Sequence, residues 1–137
     1  MEKYTFKPIG YVKNPAISVP RNWSVSNLEG ELVIDPRYKY GLKDIKAGDK
    51  IFVIFCFHKS APFEPKMLIQ KPPHLNEMKG VFSTFSPHRP NPIGLSILEV
   101  TGVFENIIKV RRLDMYDNTP ILDIKPYLEY KPMGDQK

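Results

Sequence analysis

Proline dictates more of this chain's architecture than any other residue. Fourteen of the 137 residues are proline, and seven of those fall between Pro62 and Pro92, including Pro72-Pro73 and the run Pro87-His88-Arg89-Pro90-Asn91-Pro92. Each proline fixes φ and removes a backbone donor, which excludes this stretch from a long helix or a central strand. It reads as a long structured loop or a pair of loops, and loops of that length in a compact domain are usually functional or disordered. Phe63, Met67, Leu68, Ile69, Leu75, Met78 and Phe82 give the segment apolar surface to bury, which argues against disorder.

Short strands are expected around it. Tyr4 to Val12 reads as extended, with a bend or edge at Pro8, and Glu29 to Asp35 as a strand stopped by Pro36. Ile51 to Phe57 is β-branched and aromatic throughout, which predicts a strand covered on both faces. Gly80 to Thr84 and Ile121 to Lys125 predict two more strands. Leu95–Phe104 and Ile107–Leu113 form a hairpin across Glu105-Asn106, with Asn106 taking φ > 0. Arg37 to Ile45 holds at most a helical turn. The expected class is all-β: a small, mostly antiparallel barrel or sandwich with long proline-rich loops and little helix. One domain is expected over residues 1–132, followed by a frayed tail over 133–137.

Composition removes several classes. Apolar residues make up 42% and charged residues 26%, a globular balance. The longest apolar run, Ile51–Phe57, falls far below the roughly 18 residues of a membrane helix. The start, Met-Glu-Lys-Tyr, lacks a secretory signal's apolar stretch, and a single cysteine, Cys56, fits a reducing cytoplasm without an intrachain disulfide. Twenty basic and 15 acidic residues leave a net charge of +5, which permits a nucleic-acid partner without requiring one. The histidines, His58, His74 and His88, lack the short spacing of metal ligands, so no metal is expected. P-loop, G-x-G-x-x-G and G-x-S-x-G motifs are absent, which sets aside the common nucleotide-hydrolase, Rossmann and α/β-hydrolase readings.

Three segments carry groups capable of chemistry. In Ser86 to Leu95, three prolines pin a loop bearing an imidazole, a guanidinium and an amide, and a loop already rigid loses little entropy when a ligand binds. The bland alternative is a stiff turn with incidental polar residues. His58 and Lys59 directly follow the core strand, where ligand sites on β scaffolds often lie; a hydrogen-bonded structural histidine is the alternative. In Leu113 to Tyr127, Asp117-Asn118-Thr119-Pro120 is a turn by composition. Asp123 and Lys125 share one face of the strand and Leu122 and Ile124 the other. By pattern alone Asp123 and Lys125 form a surface ion pair.

Together, in this order, the segments resemble the TsaA-like family, typified by the TrmO tRNA methyltransferases. The resemblance covers most of the chain: Pro8-Ile9-Gly10-Tyr11-Val12, Val19-Pro20-Arg21-Asn22, Tyr40 to Ile45, Phe57-His58-Lys59, Ser86 to Ser96, and Asp117 to Tyr127. It implies a small β-barrel that binds S-adenosylmethionine outside any Rossmann fold, usually as a homodimer. It also implies methyl transfer to N6 of a threonylcarbamoyl-modified adenosine beside the tRNA anticodon. Cofactor contacts are carried onto Pro20, Arg21, Asn22, His58, Lys59, Leu95, Leu122, Asp123, Ile124 and Lys125. Three departures accompany it. Phe85 stands where the family has a cofactor-binding arginine, Asn22 stands where it has glutamine, and the C-terminal extension of the bacterial enzymes is absent after Pro132.

Within that reading the target nitrogen is a weak, urea-like nucleophile, and a base that takes its proton assists transfer. His88 is the candidate base, ahead of Asp114 and Asp117; Arg89 is assigned to a phosphate or the threonyl carboxylate, and Asn91 to orienting either partner. Lys109, Arg111, Arg112 and the lysines of 39–50 are candidate phosphate contacts or solvated faces. Two other functions stay open: a cofactor-binding barrel with a different substrate, and a non-catalytic RNA-binding or cofactor-sensing module.

Overall fold

The computed structural model describes residues 1–135. Its strands, in chain order, are β1 (Gly10–Lys13), β2 (Glu29–Ile34), β3 (Lys50–Cys56), β4 (Ile69–Gln70), β5 (Lys79–Gly80), β6 (Ile93–Phe104), β7 (Ile107–Arg111) and β8 (Pro120–Pro126). Six of them close an antiparallel barrel in the order β1-β2-β7-β6-β3-β8, with β8 returning to pair with β1, while β4 and β5 form a separate two-stranded ribbon. The expected all-β barrel is what forms. No helix of the described residues is long and apolar enough to cross a membrane.

Period-two alternation builds the interior. Ile51, Val53 and Phe55 of β3, Leu98 and Val100 of β6, Ile108 and Val110 of β7, Leu32 and Ile34 of β2, and Val12 and Ile121 all point inward and are buried. Leu113 and Met115 fold in after β7, and Leu42 joins the same cluster from the 3-10 turn Pro36–Leu42. Gly94 sits opposite Phe55, and a Cβ there would overlap the rings of Phe55 and Phe57. Its missing side chain is what lets those rings meet edge-on at 5.0 Å.

Three local expectations are corrected. Gly80–Thr84 is not a strand: after β5 the chain turns through a 3-10 segment at Val81–Ser83, and Thr84 Oγ1 donates back to the Val81 carbonyl at 2.9 Å. In the β6–β7 hairpin the left-handed residue is Glu105, at φ 56°, not Asn106. Asn106 is occupied elsewhere, its Nδ2 donating to the Ile34 carbonyl at 2.6 Å and its carbonyl accepting the Ile34 N–H at 2.9 Å. Strand β3 is covered on one face only; Phe52, Ile54 and Cys56 are half-buried on the outside of the barrel.

The registers decide where the connections lie. Cys56 at the end of β3 pairs with Ile93 at the start of β6, and Phe55 pairs with Ile121 near the start of β8. Tyr11 of β1 pairs with Pro120, Lys13 with Glu31, and Glu29 of β2 with Arg111 at the end of β7. The β1–β2, β3–β6 and β7–β8 connections therefore emerge at the same end of the barrel. The β2–β3 connection and the β6–β7 hairpin lie at the other. Met133–Asp135 forms a 3-10 turn, and the last two residues of the expected tail, Gln136 and Lys137, lie outside the described residues.

Candidate functional site

All three sequence segments that carry chemistry belong to the connections at one end. The β1–β2 connection carries Pro20, Arg21 and Asn22. The β3–β6 connection carries His58, Lys59, Phe85, His88, Arg89 and Asn91. The β7–β8 connection carries Asp114 and Asp117, and leads into Leu122, Asp123, Ile124 and Lys125.

Buried polar residues clamp these connections to one another. Asn14, almost wholly buried, donates Nδ2 to the Met115 carbonyl at 2.9 Å, and its N–H reaches Asp117 Oδ1 at 2.9 Å. Ser26 Oγ donates to the Leu113 carbonyl at 2.6 Å. Residues 14–26 thus form a strap fastened at both ends to the β7–β8 connection. The strap meets the proline loop where the Trp23 ring stands edge-on to Phe85 at 5.2 Å. The third junction is Lys59 Nζ, 4.6 Å from the centre of the Tyr116 ring.

The proline loop is fixed from within. Ser60 Oγ donates to the Pro87 carbonyl at 3.0 Å, and Gln70 Nε2 to the His88 carbonyl at 2.6 Å. The His88 N–H donates to Ser86 Oγ at 3.1 Å, while its imidazole is exposed and, among the described residues, engaged in no hydrogen bond. Arg89 Nη1 donates to the carbonyls of Thr84 and Ser86, each at 3.0 Å. That nitrogen holds the loop, which leaves the rest of the guanidinium for a ligand. Asn91 is exposed, and its carbonyl accepts the Ile93 N–H at 2.7 Å.

Between this loop and the barrel wall lies a cleft of about 420 Å³, lined by Ile54, Phe57, Phe82, Phe85, Arg89 and Leu95 among others. Its floor is outer sheet surface: Leu95 pairs with Ile54, and Ile54 with Asp123, so the three lie abreast on β6, β3 and β8. The β3–β8 register slips between Ile54 and Phe55, leaving Leu122 in a bulge beside this row. Asp123 Oδ1 accepts the Ile124 N–H at 2.9 Å, and Oδ2 pairs with Lys125 at 3.0 Å, the surface ion pair the alternation suggests. Asn22 Oδ1 caps its 3-10 turn, accepting the Ser24 N–H at 2.8 Å, so its Nδ2 is the part that faces outward chemistry.

Not every candidate joins the cleft. Lys125 pairs with Phe52, further along β3, and with Ile124 lines a second depression of about 620 Å³ at the opposite end, together with Lys43, Asp49 and Tyr127. Volume does not make that depression the site, because the loop chemistry converges elsewhere. Among the proposed phosphate contacts, Arg111 and Arg112 both bind Glu99, at 3.1 and 2.9 Å, while Lys39 and Lys46 are paired with Glu105 and Asp49. Glu99 is held below the usual carboxylate range by those two arginines, Arg112 first. Arg21 and Lys59 are both exposed at the cleft end. Sequence reasoning missed Trp23, Phe57, Phe82 and Tyr116; the lone tryptophan directly after Asn22 was the available signal.

Residues 13–132 match the profile of the tRNA-methyltransferase O N-terminal domain. The chain belongs to this family. It is 40% identical over 124 residues to an S-adenosyl-L-methionine-binding protein of Archaeoglobus fulgidus, covering 88% of this chain and 87% of that one. It is 34% identical to the tRNA (adenine(37)-N6)-methyltransferase of Escherichia coli, over 95% of this chain and 60% of the relative. The crystal structure of TrmO from Pseudomonas aeruginosa superposes with a TM-score of 0.75 at 26% identity, over 99% of this chain and 61% of that one. This member thus spans about three-fifths of those bacterial proteins' length.

One ionisable group in the site end is strongly perturbed. Burial pushes the Asp114 carboxyl up to about 6 from 3.8, although hydrogen bonds from Ser96 and backbone amides favour its charge. The folded chain therefore holds this proton more tightly than the unfolded chain, and the stability it contributes at low pH is lost as pH rises through about 4 to 6. The loss is on the order of 3 kcal/mol. Asp114→Asn is expected to be more stable than the parent at pH 8 and to lose that advantage near pH 4, as read by urea denaturation; equal stabilities across the range would contradict the burial.

Proposed function

We propose that this chain transfers a methyl group from S-adenosylmethionine to the N6 nitrogen of an adenosine beside the tRNA anticodon, one already bearing a threonylcarbamoyl group. The observation that carries the reading is convergence: in a member of the tRNA-methyltransferase O family, the strap meets the proline loop at the Trp23–Phe85 contact, beside an aromatic cleft lined by that loop and Phe57, and the His58-Lys59 segment leaves the same rim of the barrel. The setting is the cytoplasm.

The cleft suits the cofactor's chemistry. Its volume, about 420 Å³, falls in the range of small-molecule sites, about 300–1,000 Å³. Phe85, Phe57 and Leu95 offer apolar surface for a purine, and Arg21 and Lys59, exposed at the same end of the barrel, supply positive charge for a carboxylate. Pro20 fixes the strap ahead of them, and Asn22 Nδ2 and the Asp123 carboxylate provide a donor and an acceptor for polar groups. Leu122 lies in its bulge beside Asp123, Lys125 orients that carboxylate through its ion pair, and Ile124 packs against the barrel core rather than the cleft. Bound there, S-adenosylmethionine would supply an activated sulfonium methyl, which leaves positioning to the protein.

His88 is the candidate to take the proton from N6. Pro87 and Pro90 flank it, its N–H and carbonyl are both held, and its imidazole is free to accept. Asp117 is a weaker candidate because Oδ1 already holds the Asn14 N–H. Arg89 presents its unused guanidinium edge to a phosphate or carboxylate, and Asn91 orients that group. Phosphate contacts fall to Lys109 rather than to Arg111 and Arg112, which are held by Glu99.

A homodimer is part of the reading. The apolar outer face of β3 and β6 continues beyond the cleft floor through Phe52 and Cys56, which are half-buried, and a second copy would cover that part next to the cleft. Sedimentation should give twice the chain mass, and Phe52→Arg should halve it; a monomeric parent would remove the dimer.

With labelled cofactor and tRNA from cells lacking the gene, the purified protein should place label on N6 of the modified adenosine, and His88→Ala should lower single-turnover transfer about 100-fold or more with little change in cofactor affinity. Label on another nucleoside, or none in the presence of bound cofactor, would favour the other-substrate and sensing readings respectively.

A further inference from the structure

Arg89 is bound to backbone rather than to an opposite charge. Of the chain's five arginines it alone is half-buried. Where Arg37, Arg111 and Arg112 meet carboxylates, Arg89 donates Nη1 to two carbonyls, those of Thr84 and Ser86, at 3.0 Å each. The residue between those carbonyls is Phe85. The peptide before Phe85 is held by Arg89 at the Thr84 oxygen. The peptide after it is held at the Ser86 N–H, which donates to Thr84 Oγ1 at 3.2 Å. The same hydroxyl donates to the carbonyl of the buried Val81 at 2.9 Å. Both backbone dihedrals of Phe85 are thereby fixed to a buried anchor, and the direction of its side chain follows.

The ring placed in this way is 61% exposed, lines the cleft and meets Trp23 at 5.2 Å with 84° between the planes. Fixing an exposed apolar ring adds little to the stability of the fold, because little area leaves water. It favours a ligand, because the ring's freedom is lost before the ligand arrives.

We propose that Arg89 is a positioning residue whose Nη1 sets Phe85 as a fixed wall of the cleft, braced by Trp23, against which a planar heterocycle stacks. The phenyl ring has no polar atom, so its face accepts another ring and offers nothing to a carboxylate or a phosphate. Ile54, Phe57 and Leu95 line the same cleft and suit the same occupant, a purine. That this purine is the adenine of S-adenosylmethionine rests on the function proposed above; the link from Arg89 to Phe85 does not. The other guanidinium nitrogens stay open for the anion assigned to them, so an uncharged probe separates the two roles.

That probe is 5′-methylthioadenosine, which keeps adenine and ribose and carries no carboxylate, phosphate or sulfonium charge. Trp23 is the chain's only tryptophan, so its emission reports on the junction with Phe85. In the free full chain, with the fold checked by circular dichroism, Arg89→Ala should leave Trp23 more open to acrylamide quenching than in the parent. In calorimetry Phe85→Ala should weaken methylthioadenosine about tenfold, as expected for one lost stacking contact. Arg89→Ala should weaken it by a similar factor, and the double variant should bind no more weakly than either single one. Losses that multiply in the double variant overturn the positioning role, because Arg89 then touches the nucleoside itself. An Arg89→Ala protein with the parent's affinity or the parent's quenching overturns it too. Should Arg89→Ala fail to fold, Thr84→Val takes its place, since it frees the peptide after Phe85; weaker binding supports the wall and unchanged binding overturns it. A parent that takes up S-adenosylmethionine but not methylthioadenosine overturns the stacking alone. One that takes up neither overturns it together with the function proposed above.

Discussion

The pairing of β8 with both β3 and β1 is the constraint on which the rest of the structure depends. It turns six short strands into a ring without an open edge, and a chain this rich in proline could not otherwise keep its backbone groups satisfied. Closure also fixes direction. In an antiparallel ring of this order, the strap, the proline loop and the β7–β8 connection leave from one rim. Residues more than 100 positions apart, such as Asn14 and Asp117, become hydrogen-bonded neighbours through the register of strands that have no chemistry of their own.

The strands were legible in the sequence because burial follows alternation, and β3, β6 and β7 alternate cleanly. The prolines marked the candidate loop for a physical reason: they exclude regular structure, so side-chain bonds such as those of Ser60, Gln70 and Arg89 hold it. What the sequence could not reveal depended on partners far along the chain. Asn106 was expected to supply the left-handed turn, but the end of β2 claims its side chain and Glu105 takes the strained position. Gly80–Thr84 has a strand-like composition, yet Thr84 bonds back to Val81 and winds it into a turn. The outer face of β3 looks fully buried by composition and is only half so, since the proline loop leaves a cleft over Ile54 rather than packing onto it.

The site residues divided in a similar way. Motif order identified the three segments, while their physical roles required geometry. Arg89 reads as a free guanidinium in sequence and proves half committed to its own loop. Asp114 reads as a minor carboxylate in a turn and proves to be the strongly perturbed acid of the chain's described residues. Keeping an ionisable group where burial opposes its charge lowers stability at neutral pH, and such a group persists where geometry at a working site matters more. Phe85 belongs to the same pattern: exposed and apolar, it gives the cleft an aromatic wall and Trp23 a surface to rest on.

The central claim is that three separate connections form one cofactor site at one end of the barrel. Amide hydrogen exchange with and without S-adenosylmethionine tests it most directly. Protection should rise together in Trp23–Ser26, Phe57–Ser60, Thr84–Arg89 and Asp114–Thr119, with no change in Gly41–Lys50 at the opposite end. Protection confined to one of those segments, or centred on Gly41–Lys50, would contradict the account.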